Sequence, residues 1–393
     1  MIHLRRYQQD AVNEIREAFP LHRNFLPVSP TGSGKTVMFS YLARAVTNKG
    51  KRVTIVVHRD ELVYQVSRTL TSFDVDHGFI AAGRPVSGSP VQIASVFSLR
   101  NRITDYARPD LVIFDEAHHA TNGSSWGRVF WHWRESFKLG VTATPIRLDG
   151  KPLRSMFDHT IDGPSVADLM ASGDLCNYTL YAPPVALGKL RKRMGDYVQS
   201  DLAEVMDKPQ LVGNAVEHYR KLADGKRAIV FCVSLDHAAH TALAFQDAGY
   251  SSARIDGTME KHERRALVEK FSRGQVKVLT SCDLVSEGFD LPAIEVAILL
   301  RPTASLGLYL QQVGRALRPF PGKEKAIILD HAGNAGTHGL PDDDRDWCLE
   351  DGEAGLKKGK RVVDVSLRTC GKCWASVKPG TMVCPHCGWA WPV

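Results

Sequence analysis

The sequence predicts a wound α/β protein, with two parallel-sheet domains in tandem and a small cysteine-rich appendage at the C-terminus. Three observations predict it. Apolar runs of four to six residues alternate with helical stretches in two separate parts of the chain, which is how strands buried on both faces of a parallel sheet read. At 393 residues the chain is two to three times the length of an ordinary domain. Four of the eight cysteines fall within the last 24 residues. Composition agrees, since 44% hydrophobic and 24% charged residues exclude wholesale disorder and fibrous repeats. No apolar stretch approaches the ~20 residues that span a bilayer, and no apolar run follows Arg5 and Arg6 as a signal peptide requires. A soluble, cytoplasmic protein is therefore expected.

In the first part, residues 1–162, the expected strands are Phe25 to Ser29, Val53 to Val57, Val91 to Ser95, Leu111 to Phe114 and Leu139 to Thr142. The pattern lapses near Asp162. Residues 163–215 carry Pro164, Gly173, Pro183, Pro184 and Gly188, then the basic cluster Lys189, Arg191, Lys192, Arg193, and read as a crossover joining two domains. Alternation resumes over 216–340 with Ala228 to Val233, Ser252 to Ile255, Val276 to Thr280, Val296 to Leu299 and Ala326 to Leu329, separated by helices such as His262 to Phe271. Residues 341–369 read as an acidic-to-basic hinge. Positions 341–356 hold seven Asp/Glu against one Arg, and 357–393 seven Lys/Arg against one Asp, within a chain of net charge +7. A basic tail on such a joint suggests a flexible polyanion-binding appendage, and charge alone fits a solvated tail equally well.

Segment 29–36 reads SPTGSGKT, between the first strand and a helix beginning near Val37. Thr31, Gly32, Ser33 and Gly34 make a turn whose backbone N–H groups can face phosphate oxygens. The helix N-terminus favours an anion, Lys35 can reach the β and γ phosphates, and Thr36 can ligate Mg²⁺. The strict phosphate-loop pattern has glycine where Ser29 stands. Downstream, the strand Leu111 to Phe114 runs into Asp115, Glu116, Ala117 and His118. An acidic pair at the C-terminal end of a parallel strand lies on the crevice side of the sheet, where Asp115 can hold Mg²⁺ and Glu116 can orient an attacking water. A plain Gly/Ser-rich turn and a plain surface acid pair are the alternatives. The order strand, loop, Lys-Thr, helix, then strand and acid pair argues against both.

SPTGSGKT at 29–36, DEAH at 115–118, TATP at 142–145 and QQVGRALRP at 311–319 occur in this order, and together resemble the motifs of superfamily 2 helicases over residues 3 to about 335. VVHRDELVYQ (56–65), AIVFCVS (228–234) and SCDLVSEGFDLP (281–292) resemble further motifs, and VQIASVFSL (91–99) a strand that contacts the nucleic-acid backbone. The resemblance implies two RecA-like domains that use ATP and Mg²⁺. It implies that Gln8 and Tyr7, in Arg6-Tyr7-Gln8, recognise and stack on adenine, a surface helix being the alternative. Thr142 and Thr144 would couple nucleotide state to domain closure, and Gly288 and Asp290 would lie near ribose and phosphates. Gln311 would face the attacking water, while Arg315 and Arg318 would be arginine fingers, a task for a permanently charged, forked guanidinium. Such a motor grips phosphates and sugars of single-stranded or branched DNA, with RNA as the alternative.

The run Cys370-x2-Cys373-x10-Cys384-x2-Cys387 resembles a zinc ribbon spanning 370–393, with Gly371 and Gly388 placed for its knuckle turns and His386 a bystander. Four thiolates make a closed, structural Zn²⁺ site, and so short a tail takes its folding energy from metal. Trp374, Trp389 and Trp391, with Lys372 and Lys378, would form a stacking surface for single strands, or else pack the ribbon onto the motor. Motor, DHAG at 330–333 and ribbon together resemble the RadD group of bacterial and phage DNA-repair helicases. Trp126, Phe130, Trp131 and Trp133 are expected in packing rather than as a strand-separating wedge. Cys176, Cys232, Cys282 and Cys348 are expected to be small buried residues. The expected protein is a monomeric ATP-dependent DNA helicase or translocase, with a single-strand-binding or repair protein as partner. An RNA helicase and a nucleotide-switched recruitment module are the alternatives; a pure switch has no need of Glu116 or of two fingers.

Overall fold

The computed structural model describes residues 3–58, 60–145, 153–185, 188, 190–193, 195–282, 291, 294–345, 347 and 367–391, with the side chains of 60, 61 and 261 excepted. Gly288, Asp290, Lys189, Cys348 and most of the expected hinge lie outside the described residues. The chain divides into two compact units, one drawn from Met1–Ser165 with Asp344–Lys360, the other from Val166–Asp343 with Arg361–Val393.

The first unit is a parallel sheet of seven strands, β1 (Asn24–Val28), β2 (Val53–Val57), β3 (His77–Ile80), β4 (Val91–Ser95), β5 (Leu111–Asp115), β6 (Phe137–Val141) and β7 (His159–Asp162), in the order β3-β4-β2-β5-β6-β1-β7. Side chains alternate between its faces, as the pleat requires. Val53, Ile55 and Val57 pack under the helices Arg6–Ala18, Lys35–Thr47 and Asp60–Ser72. Val56, Val112 and Phe114 pack under Val96–Arg102 and Ser125–His132. Both faces are covered, which is why β2 and β4 are buried at every position. Strand β6 carries Lys138, whose buried ammonium donates to the carbonyls of Trp133, Arg134 and Ser136 at 2.8, 2.8 and 2.7 Å. Burial lowers its pKa to about 8.

The second unit holds β8 (Tyr178–Tyr181), the hairpin β9 (Lys192–Arg193) and β10 (Asp196–Tyr197), then β11 (Ala228–Phe231), β12 (Ser252–Ile255), β13 (Val278–Ser281), β14 (Val296–Leu299) and β15 (Ala326–Asp330). Its sheet is parallel, in the order β12-β13-β11-β14-β15-β8. The mixed α/β class with two wound sheets is thus as the sequence predicts. The 163–215 segment differs from expectation. Rather than a bare crossover it supplies edge strand β8, the hairpin and the helices Val166–Ala171, Gln199–Met206 and Pro209–Ala223, all but its first residues within the second unit. Of the basic cluster, Lys192 and Arg193 form β9, and Arg191 beside them is forked onto Asp201.

The tail also departs from the expectation of a flexible appendage. Its ribbon, β16 (Arg368–Thr369) and β17 (Ser376–Val377), is seated on the second unit, where Ala375 pairs antiparallel with Tyr181 and the Ala182 N–H donates to the Trp374 carbonyl at 2.9 Å. Trp374 lies against His218, their ring centroids 4.7 Å apart.

Candidate nucleotide site and four-cysteine centre

Strand β1 ends at Val28, and the loop to helix Lys35–Thr47 turns through Gly32 and Gly34 at φ 91° and 77°, conformations that only glycine adopts freely. Ser29 fits where glycine is usual because Gly163 stands opposite; a Cβ on Gly163 would lie 2.1 Å from the Ser29 hydroxyl. The pairing of a departure at 29 with a glycine 134 residues on, between edge strand β7 and the segment after it, carries no local sequence signal. Lys35 reaches back across the loop, donating to the carbonyls of Ser29 and Pro30 at 3.1 and 3.3 Å.

The N-terminal helix meets this loop. Gln8 is buried, its amide accepting from the Arg5 N–H at 3.0 Å and donating to the carbonyls of Ser33 and Gly34 at 3.0 and 3.2 Å. The Tyr7 hydroxyl donates to the Ser33 carbonyl at 2.7 Å. A plain surface helix is therefore excluded for Gln8. A Cβ on Gly34 would sit 2.6 Å from the Gln8 amide nitrogen, a second reason for glycine there.

Two strands away in the sheet, β5 delivers Asp115 and Glu116. Asp115 is buried, and that burial, then the neighbouring Glu116 charge, push its carboxyl well above the carboxylate range while the Lys35 ammonium pulls it down. Glu116 takes a left-handed backbone at φ 52°, rare for a residue with a side chain. His118 Nδ1 lies 3.4 Å from the Glu116 carboxylate, a contact without a hydrogen bond, and 3.1 Å from the Thr142 hydroxyl, which donates to the Thr144 carbonyl at 2.7 Å. Two crowded, partly desolvated carboxylate groups beside a threonine-bearing phosphate loop are a donor set suited to a hard divalent cation.

In the second unit, helix Leu306–Ala316 is capped by Ser305, whose hydroxyl accepts from the Leu308 N–H at 3.3 Å. It buries Gln311 and Arg315, while Arg318 is half-buried just beyond its end. Lys323 closes that end, donating to the carbonyls of Ile294 and Arg318 at 2.9 and 2.8 Å and to that of Ala316. Nothing in the sequence marks Lys138 as buried or Lys323 as half-buried.

These features coincide with the comparisons with known proteins. Residues 1–147 match the family described as the Type III restriction enzyme, res subunit, and residues 207–319 the helicase conserved C-terminal domain. A 51.5 kDa protein of Lactococcus phage (isolate 7-9) is 36% identical over 92% of this chain and 76% of its own length. The chain belongs to the superfamily 2 helicases. Among other relatives of this helicase, the Saccharomyces cerevisiae protein named "Putative ATP-dependent helicase IRC3" is 28% identical over 84% of the chain, which spans 51% of that relative's length. The structure titled "The fragment structure of a putative HsdR subunit of a type I restriction enzyme from Vibrio vulnificus YJ016" shares the fold, with TM-score 0.69 at 22% identity, over 86% of this chain and 66% of that one. No helix among the described residues is long and apolar enough to cross a membrane.

The helicase's four C-terminal cysteines come together. Cys370 and Cys387 place their sulfurs 3.6 Å apart, Cys373 and Cys384 3.7 Å, and all four lie within 4.8 Å of one another. A tetrahedron of sulfurs at the usual zinc bond length has edges of about 3.8 Å, so the set fits Zn²⁺. Gly388 takes the left-handed turn of the second knuckle at φ 70°, but in the first that turn falls on Trp374 at φ 60° and not on Gly371. Gly371 lies against the Trp389 ring, which a Cβ would touch at 3.4 Å, an ordinary packing distance. Trp374 packs ribbon to motor, and Trp389 and Trp391 pack beside the cysteines, with the Arg368 guanidinium 4.8 Å from the Trp391 ring. Of the other aromatics, Trp126, Phe130 and Trp133 are core, while Trp131 is exposed. Cys176, Cys232 and Cys282 are buried.

Proposed function

We propose that this chain is a nucleic-acid-stimulated ATPase that moves along or remodels DNA, single-stranded or branched, in repair, recombination or replication. The observation that carries the reading is Glu116, held in a strained backbone beside Asp115, with His118 against its carboxylate and hydrogen-bonded to Thr142. Strain of this kind persists where the surroundings over-determine it, as at a hydrolytic site. In this reading the loop amides of Thr31 to Gly34 and Lys35 bind the phosphates, and Glu116 orients the attacking water. Thr36 and Asp115 hold Mg²⁺, which when bound neutralises charge on the β and γ phosphates. Gln311, Arg315 and Arg318 act from the second unit, with Gly288 and Asp290 near the ribose. Tyr7 and Gln8 recognise adenine, exchanging their loop bonds for the base. The DHAG segment and the cysteine ribbon support membership of the RadD-type repair helicases, and a monomer is proposed as the working form.

The test compares ATP turnover with single-stranded DNA, duplex, branched DNA and RNA at matched salt. Single-stranded or branched DNA is expected to raise turnover tenfold or more. Equal stimulation by RNA moves the assignment to an RNA helicase, and no stimulation by any polymer rejects the motor.

For the ribbon, Zn²⁺ on Cys370, Cys373, Cys384 and Cys387 is proposed, with a DNA strand or a single-strand-binding protein as its ligand. One zinc per chain is expected by elemental analysis. Cys370→Ser or Cys387→Ser is expected to release it and to lower the melting temperature, since Tyr181 and His218 lose their cover. A metal-free wild type ends this assignment.

A further inference from the structure

Arg318 lies where the backbone loses its regular hydrogen bonds. Helix Leu306–Ala316 ends two residues before it, Pro319 follows it, and carbonyls at a helix's C-terminal end have no donor within the helix. The earlier part of the helix is secured independently. The Asp196 carboxylate accepts from the Thr303 hydroxyl and the Ala304 N–H at 3.0 and 2.7 Å just before its start, and the Tyr309 hydroxyl donates to the Gly339 carbonyl at 3.0 Å. At the open end, the Leu317 carbonyl accepts from the Cys176 N–H at 2.8 Å. The carbonyls on either side of it, of Ala316 and of Arg318 itself, both rest on the ammonium of Lys323, which also donates to Ile294 at 2.9 Å, two residues before β14.

An ammonium has three N–H donors, and here three carbonyls take them, at the end of a helix whose dipole favours a positive charge. The chain is shaped to bring the lysine there. Pro321 and Gly322 fill a turn closed by the Lys323 N–H on the Phe320 carbonyl at 3.1 Å, with Gly322 at φ 84°. The Phe320 ring lies 5.3 Å from the ammonium and 4.9 Å from the Arg227 guanidinium. Ile294 is buried, and β14 runs through the interior of the second sheet between β11 and β15. One side chain therefore ties the backbone of Arg318 to a part of the fold that does not yield. A guanidinium stabilises developing charge only when it is held in place beforehand. We propose that Lys323 is a positioning residue for ATP hydrolysis, fixing the backbone from which Arg318 projects. The inference rests on the reading of Arg318 as a finger and adds the group that sets where it points.

The experiment measures kcat and KM for ATP on full-length protein with saturating single-stranded DNA, beside a melting curve for each variant. Lys323→Met keeps the length of the side chain and removes all three donors. It is expected to lower kcat by ~10², the scale of a reacting group misplaced by about 1 Å, with KM within about threefold of wild type. Lys323→Arg keeps charge and donors and is expected to recover at least about tenfold of that loss. The deciding comparison is a double-variant cycle. Arg318→Ala alone is expected to lower kcat by ~10³, the scale of a finger. With it in place, adding Lys323→Met is expected to lower kcat by about threefold or less, because the group that the lysine positions is gone. Should the methionine variant fold poorly, Lys323→Arg is run through the same cycle, and its own shortfall is expected to vanish beside Arg318→Ala. A kcat within about threefold of wild type in Lys323→Met overturns the proposal, and so does an equal fall in both backgrounds, since the lysine then acts on stability or on another group. A wild-type kcat in Arg318→Ala rejects the finger reading itself, and that single variant reports it whatever Lys323→Met does.

Discussion

Replacing Arg315 with alanine is expected to lower ATP turnover by ~10³ or more while leaving nucleotide affinity within a few-fold, the scale on which arginine fingers act. The reason is differential: a finger meets charge that develops on the transferring phosphoryl group, so its loss is felt in the transition state and little in the bound ground state. Arg315 sits buried near the end of helix Leu306–Ala316, so its removal also perturbs packing, and a melting curve must accompany the kinetics. Arg315→Lys separates the two effects. It keeps a charge and a long stem but loses the planar fork, and is expected to restore stability while recovering little turnover. Loss of less than about tenfold in Arg315→Ala rejects the assignment.

Glu116→Gln is expected to reduce turnover by ~10² to 10⁴, the range for losing a positioned general base, while ATP stays bound. Glutamine keeps the shape of the side chain and tolerates the same left-handed backbone, so the fold is preserved and the orientation of water is not. Lys35→Ala is the contrasting variant, since it removes a phosphate contact and should weaken binding itself. Filter binding of labelled ATP beside steady-state turnover distinguishes them. Parental turnover in Glu116→Gln would reject the site.

Much of this was legible in the sequence because it is written in local order. The central strands are continuous apolar runs, and loop, acid pair and knuckles each occupy fewer than a dozen neighbouring residues. What was not legible is what depends on distant partners. Strands β3, β7 and β8 lie at sheet edges, where one flank needs no neighbour and the apolar signal thins to HGFI, HTID and YTLY. The prolines and glycines around β8 hid a strand inside an apparent linker. Lys138 and Lys323 look like surface residues by type, yet Lys138 is buried and Lys323 half-buried, each with its ammonium on three backbone carbonyls, a fact set by helix ends that their own neighbours in sequence do not announce. Ser29 reads as a flaw in the loop until Gly163 is seen across from it. Trp374 bears the knuckle turn because its ring is wanted on His218, a choice that the spacing of cysteines does not reveal.

The seating of the ribbon on β8 bears on how this chain behaves in a crowded solution. An edge strand presents a row of unpaired N–H and C=O groups, a template onto which another chain can polymerise. Trp374 and Ala375 occupy that row at Tyr181 and Ala182. Unfolding of the last two dozen residues therefore does more than remove a module, because it uncovers a sticky border along the second sheet. Truncated or thiol-oxidised forms of the protein are therefore expected to carry that border exposed and to self-associate more readily than the intact chain.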